Sequence, residues 1–454
     1  MATKNVFFGI IFLMLRIRYI LTLVLSVMIS NVFGEIKFSD RTDEHILSNG
    51  LKVILIEDKR TSAVVNSIWY KVGSSDELAG KTGISHILEH MMFKGTETLQ
   101  PGEFSRIVKK MGGTENAFTS KDFTGYFQKV HPTDLERCIE LEADRMKNLK
   151  LSDKEISSEL KVVQEERRLR TDDNPVSKTF EKIMLNAYGM NHYGIPIIGT
   201  MQDIKNTTKS DLSNWYNKFY QPKNAIVIIV GNFDKQETLK YIKKYYGNIK
   251  NSEDINRSKQ LNRYFTEKYF EVVDQISKPI VFLSFKKDKF NLKELNKAYA
   301  LDLFVEIMDG GYSSRLTSSL VEEKKIALDI FISLDIYNKY PNLIIVGGTP
   351  RNQVSADIFK ENVLNEFSQS SIQSITKEEL DNAKKRIKAK NIYKFDSIFY
   401  QGMQVGMLET KDISWKLLDE YTSDIQNITL EEVKSVAKEY FKLDNVLTTV
   451  LRPE

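Results

Sequence analysis

Cysteine is nearly missing from this 454-residue chain. Cys138 stands alone, so no disulfide can form within one molecule. In Leu135-Glu136-Arg137-Cys138-Ile139-Glu140-Leu141 it reads as a small residue on a helix face. Histidine is scarce too, with five in all: His45, His86, His90, His131 and His192. A large charge of either sign is also lacking. The formal net charge is +4, and Lys4, Arg16 and Arg18 near the N-terminus supply most of it, so nothing points to a nucleic-acid partner. Compositional bias is absent as well: 41% hydrophobic and 28% charged residues exclude collagen-like and disordered classes. The length exceeds what one ordinary core accommodates, which predicts two domains.

Beyond the N-terminus no apolar run approaches membrane-spanning length. At the N-terminus, Arg16 and Arg18 precede the apolar run Tyr19–Ile29, and small residues near Gly34 offer a cleavage point. Residues 1–34 therefore read as a signal peptide or an N-terminal anchor, and the chain as exported, periplasmic or secreted. The residues before Arg16, from Val6 to Leu15, are also apolar, which suits an uncleaved anchor or a start at Met14.

After that segment, Glu44–Ser48 and Leu51–Ile56 flank Asn49-Gly50, a two-residue hairpin signal. A third strand is predicted over Thr61–Val72, a helix over Pro101–Met111, and one alternating strand over Asn116–Val130. Long helices follow near Pro132–Asn148, Ser152–Arg170 and Val176–Tyr188. Strands followed by runs of helices predict an α+β fold rather than a doubly wound parallel sheet. The segment from Thr208 to Val227, a capped helix, a turn with Asn224 and a β-branched strand, recurs from Thr429 to Thr448 with Asn445 in the same place. That echo predicts two homologous domains, at 35–250 and 263–454, joined by a polar linker at 251–262.

The chemistry concentrates in Gly83-Ile84-Ser85-His86-Ile87-Leu88-Glu89-His90-Met91-Met92-Phe93. On a helix His86 and His90 lie one above the other, and Glu89 borders the same face. Two imidazoles one turn apart form half of a tetrahedral zinc site, with a carboxylate at hand to take a proton from the attacking water. The bland alternative is two polar residues four apart by chance. The second half has no paired histidines, so only the first domain can hold the metal.

A catalytic zinc site needs a third protein ligand. The helical run Glu159–Arg170 offers three carboxylates. Glu159 and Glu166 are seven apart on one stripe with Val162, Val163 and Leu169, which predicts that all of these face inward. Glu165 is rotated about 100° away and should meet solvent beside Arg168. Glu166 is thus the predicted third ligand, and Glu159 the carboxylate behind the site that orients a histidine N–H. Without the upstream histidines, such a run reads as a charged surface helix.

His86-Ile87-Leu88-Glu89-His90, with its flank Met91–Thr96 and with Glu159 and Glu166, resembles the pitrilysin-type inverzincin metallopeptidases, the family of insulin-degrading enzyme and the mitochondrial processing peptidase. Asn116-Ala117-Phe118-Thr119-Ser120 and His192–Gly199 match further. The likeness runs from about Glu44 to the C-terminus. It implies two homologous α+β domains, each a mostly antiparallel sheet with helices, forming half of a peptidase chamber. It implies one Zn2+ per chain held by His86, His90 and Glu166, with Glu89 as general base, and cleavage of peptide substrates. It implies that Asn116, Ala117 and Phe118 lie on an edge strand to which extended substrates add.

In one respect the chain departs from the family. Members often carry, in the second domain, an Arg and a Tyr seven residues apart that contact the substrate and the developing oxyanion. Val321 and Leu328 align there, and neither side chain can donate a hydrogen bond. Losing oxyanion donors typically costs about 10²–10³ in rate. The expectation is a homologous partner subunit that supplies the Arg/Tyr pair, or a homodimer. The rival reading is a non-catalytic structural member of the family.

Overall fold

The computed structural model describes residues 37–252, 254–257 and 265–454. The predicted leader, 1–34, lies outside them, as do Glu253 and residues 258–262 of the predicted linker. Of an N-terminal unit, Met1–Arg41, the described part is a short turn at Phe38–Arg41. The remainder, Thr42–Glu454, is a second compact unit containing two sheets.

The first sheet joins β1 (Thr42–Ile46), β2 (Lys52–Glu57), β3 (Val64–Tyr70), β4 (Thr114–Thr119), β5 (Thr124–Val130) and β6 (Ala225–Gly231) in the order β1-β2-β6-β3-β5-β4. The second joins β7 (Tyr269–Asp274), β8 (Ile280–Lys287), β9 (Ala327–Ser333), β10 (Asn342–Pro350) and β11 (Leu447–Pro453) in the order β7-β11-β8-β10-β9. Only β2/β6 and β7/β11 pair in parallel, so both sheets are mostly antiparallel, as expected. Without β1 the two share one wiring: a last strand inserted parallel to the first and antiparallel to the second.

The repeat in the sequence is that inserted strand with its leading helix. Thr208 and Thr429 each accept a backbone N–H three residues on, and Asp211 and Glu432 return the bond to the cap. Each reciprocal cap satisfies two otherwise orphaned donors. The helices Lys209–Phe219 and Leu430–Tyr440 then lead through a single turn into β6 and β11.

Each sheet is covered on one face by its own helices and on the other by a helix from the opposite half. Ile183 and Ala187 of the helix Pro175–Tyr188 bury Phe282, Leu343, Ile345 and Leu447 of the second sheet. In return, the helix Ile398–Glu409 lies on β3 and β6, where Gly406 meets the Trp69 indole so closely that a Cβ would collide with it. Burial on both faces explains why β3 and β6 are buried at every position.

Three local expectations are corrected. The first hairpin has a three-residue loop: the Leu47 N–H bonds the Leu51 carbonyl at 2.9 Å, and Gly50 takes φ 84°. A left-handed glycine closing a turn gives this bulged form in place of the two-residue one. The region 116–130 is two strands, β4 and β5, because Ser120–Phe123 reverses the chain. The predicted inward stripe on the Glu159 helix also fails in part. Val162 and Leu169 are 47% and 61% exposed, while Ile156, Glu159 and Val163 face inward. The helix lies at the rim of the core, so its buried arc is narrower than the stripe assumed.

Candidate metal centre and catalytic cleft

The motif helix, Ile84–Met91, is anchored by what it buries. Ile84, Ile87, Leu88 and Met91 enter the first core, which leaves His86, Glu89 and His90 on the opposite arc. Its start is fixed without a side-chain cap of its own. Glu77 reaches back, and its two oxygens accept the N–H groups of Gly83 (2.7 Å) and Ser85 (2.9 Å). A carboxylate suits a helix N-terminus, but burial pushes the Glu77 carboxyl up to about 8. Gly83 takes φ 85° and sits against the Ile198 carbonyl and Gly199, where a Cβ has no room.

Glu166 comes from the helix Asp153–Arg167, capped by Ser152. That helix loosens into a π-turn at Arg168–Asp172, a feature often found beside functional sites. Arg167, buried at the junction, bonds Glu181 (2.7 Å) and the Gly199 carbonyl (2.8 Å), tying the turn to the next helix and to the loop below the motif.

The three predicted ligands converge. One ligand atom each from His86, His90 and Glu166 lie within 4.8 Å of one another. His86 Nε2 is 3.8 Å from Glu166 Oε1, and His90 Nε2 is 3.4 Å from Glu166 Oε2. Glu159 stands behind them, with Oε2 3.2 Å from His90 Nδ1 and Oε1 2.6 Å from Lys94 Nζ. Glu165 points outward to Arg168, as expected.

These residues fit zinc. Two imidazoles and a carboxylate make a catalytic donor set, and a carboxylate behind one imidazole fixes its ring and tautomer. Burial and the neighbouring His90 lower the His86 pKa to about 4, so its imidazole stays neutral as a ligand must. His86 Nδ1 is buried without a hydrogen-bond partner. Burial works against charge on His90 as well, but hydrogen bonds to Glu166 and Glu159 outweigh it and raise its pKa. Hydrogen bonding to His90 in turn lowers that of Glu166.

Glu89 borders the trio. Burial raises its pKa, opposed by a hydrogen bond from Thr119 and by the field of His90. The cleft above it has a volume of about 750 Å³. Asn116, Ala117 and Phe118 line it from β4, an edge strand of the sheet. Asn116 is exposed, Ala117 packs on the core beneath, and Phe118 packs edge-on to Trp69 at 5.0 Å.

Three cleft residues escaped the sequence reading. Arg170 on the π-turn pairs with Glu166 at 2.8 Å. Lys121, whose pKa burial lowers to about 8, donates to the Ile195 carbonyl. Thr119 donates to Glu89 at 2.5 Å. Only Thr119 left a signal: it lies in the family-matching run Asn116–Ser120, and strand alternation puts it on the same face as Ala117.

The chain is similar to known proteins along most of its length. The Insulinase (Peptidase family M16) profile matches residues 52–201, and the Peptidase M16 inactive domain profile matches residues 206–387. The zinc protease PqqE of Helicobacter pylori is 33% identical over 414 residues, spanning 90% of this chain and 92% of that protein. The uncharacterized zinc protease YmxG of Bacillus subtilis is 26% identical over 404 residues, 88% and 96% of the two chains. A crystal structure of a protease from Helicobacter pylori superposes with a TM-score of 0.83 at 30% identity, covering 91% of this chain and 99% of that one.

Proposed function

This chain belongs to the insulinase-type M16 peptidase family, and from that premise we propose that it is a zinc-dependent endopeptidase acting on peptides or unfolded polypeptide segments. The observation that carries the reading is the convergence of His86, His90 and Glu166 beside Glu89, in a cleft walled by an edge strand. His86, His90 and Glu166 hold the metal, and Glu159 keeps the His90 ring in place. Zinc, when bound, polarises a scissile carbonyl and acidifies water. Glu89 takes the proton from the attacking water and delivers it to the leaving amine nitrogen. Asn116, Ala117 and Phe118 receive the substrate as an added strand, whose main-chain bonds give affinity with little sequence preference.

The chain works as one subunit of a dimer. Val321 and Leu328 cannot act as oxyanion donors, so a homologous partner lacking the histidine motif supplies the Arg/Tyr pair, or a second copy completes the chamber. Residues 1–34 direct export, 35–250 form the catalytic domain, and 263–454 form the homologous domain without metal. The retained His86, Glu89, His90 and Glu166 speak against a purely structural subunit.

The test is cleavage of a quenched fluorescent peptide with and without a chelator, alongside Glu89→Gln. Chelator-sensitive cleavage that Glu89→Gln abolishes is expected. Full activity of Glu89→Gln rules out the general-base role.

A further inference from the structure

The hydrogen bond between Thr119 and Glu89 has no part in the scheme above. Thr119 is the last residue of β4. Its Oγ donates to Glu89 Oε2 at 2.5 Å, across the interface where the motif helix packs on that strand. Among the described residues no other side chain hydrogen-bonds Glu89, so the hydroxyl is what fixes where this half-buried carboxylate points. An unfixed glutamate retains rotamer freedom at three torsions.

Thr119 is itself held firmly. The turn that follows it is clamped from two sides. The Ser74 and Ser75 N–H groups bond the Ser120 and Lys121 carbonyls at 3.1 and 2.8 Å. Behind this, the Tyr193 hydroxyl bonds Asp122 at 2.6 Å. Gly73 passes so close to the Ser120 and Lys121 carbonyls that no Cβ fits there. The hydroxyl therefore sits at a rigid strand end, on the strand where the substrate is proposed to add.

We propose that Thr119 is a positioning residue that fixes the Glu89 carboxylate for proton transfer and couples it to strand addition on β4. The inference rests on Glu89 being the base and on β4 being the substrate strand. A peptide paired along β4 lies on the same strand whose rigid end carries the hydroxyl, so docking and alignment of the base share one element. The placement matters because a general base contributes about 10²–10⁴ in rate only when it is in reach of the proton.

The experiment compares Thr119→Val, Thr119→Ser and Glu89→Gln in the full chain, using a quenched fluorescent peptide, zinc content, and crystal structures of both Thr119 variants. Thr119→Val removes the donor at similar volume. It is expected to lower kcat about tenfold or more with KM within about twofold and zinc retained, and Thr119→Ser is expected to restore most of kcat. In the Thr119→Val crystal the Glu89 carboxylate leaves its present place, whereas in Thr119→Ser it stays bonded to the hydroxyl. This arm reads the same question whether or not the isolated chain turns over.

An unmoved Glu89 in Thr119→Val, an unchanged kcat beside a dead Glu89→Gln, or a change in KM alone overturns the inference and leaves the peptidase reading standing. A fall in kcat that merely tracks lost zinc also overturns it, because the site has then come apart. A fully active Glu89→Gln is the distinct result that removes the base and the catalytic reading with it.

Discussion

Glu159 Oε2 stands 3.2 Å from His90 Nδ1, and the same carboxylate holds Lys94 through its other oxygen. The contact orients the His90 ring and turns Nε2, 3.4 Å from Glu166, towards the ligand cluster. Glu159→Ala should therefore weaken zinc binding about 10–100-fold. Competition against a chelator of known affinity checks this. Parent-like affinity would reduce Glu159 to a partner for Lys94.

The exchange of helices between the two halves sets a second expectation. With Gly406 lying on the Trp69 ring, Gly406→Val forces the 398–409 helix off the first sheet. The overpacking should cost about 1–3 kcal/mol. Thermal denaturation should show a lowered Tm in one transition, since each sheet relies on a helix from the other half. A Tm equal to the parent's contradicts this packing.

Glu77 carries a pH dependence whose sign is fixed. Its carboxyl titrates near 8 in the folded chain and near 4.5 when free. Between those values the folded chain keeps a proton that the unfolded chain has released, so this group makes stability fall as pH rises from about 4.5 to 8. Glu77→Gln stays neutral and removes that slope. Denaturant titrations at pH 5 and pH 8 should show the variant gaining on the parent by more than about 1 kcal/mol. Parallel profiles contradict it.

The substituted oxyanion positions predict a dependence on partnership. The isolated chain should cleave a quenched peptide about 10²-fold or more slowly than the complex recovered from its native source. Full activity of the isolated chain removes the need for a partner that donates the Arg/Tyr pair.

Much of the fold was legible because it rests on local signals. The capped helices at Thr208 and Thr429 announce themselves by residue type, and their spacing exposes the duplicated halves. The convergence of His86, His90 and Glu166 was legible because helical periodicity places His86 over His90 and separates Glu166 from Glu165. The misplacements have physical causes. Val162 and Leu169 look like core residues, yet they project from a helix at the rim, and periodicity gives a direction without saying how far the core extends. The covering of Trp69 by Gly406 was invisible, because a glycine advertises no contact. Thr119 showed its strand face in the sequence but not its partner, which lies on another element, 30 residues back in the chain.

The central claim is that one zinc ion is gripped by His86, His90 and Glu166. The direct measurement is metal content by mass spectrometry of the intact folded chain, set against His86→Ala, His90→Ala and Glu166→Gln. The account predicts one zinc per parent chain and loss of it in each variant, with Glu89→Gln still fully loaded. A parent chain without zinc after incubation with the metal, or variants that bind it as well as the parent does, contradicts the account.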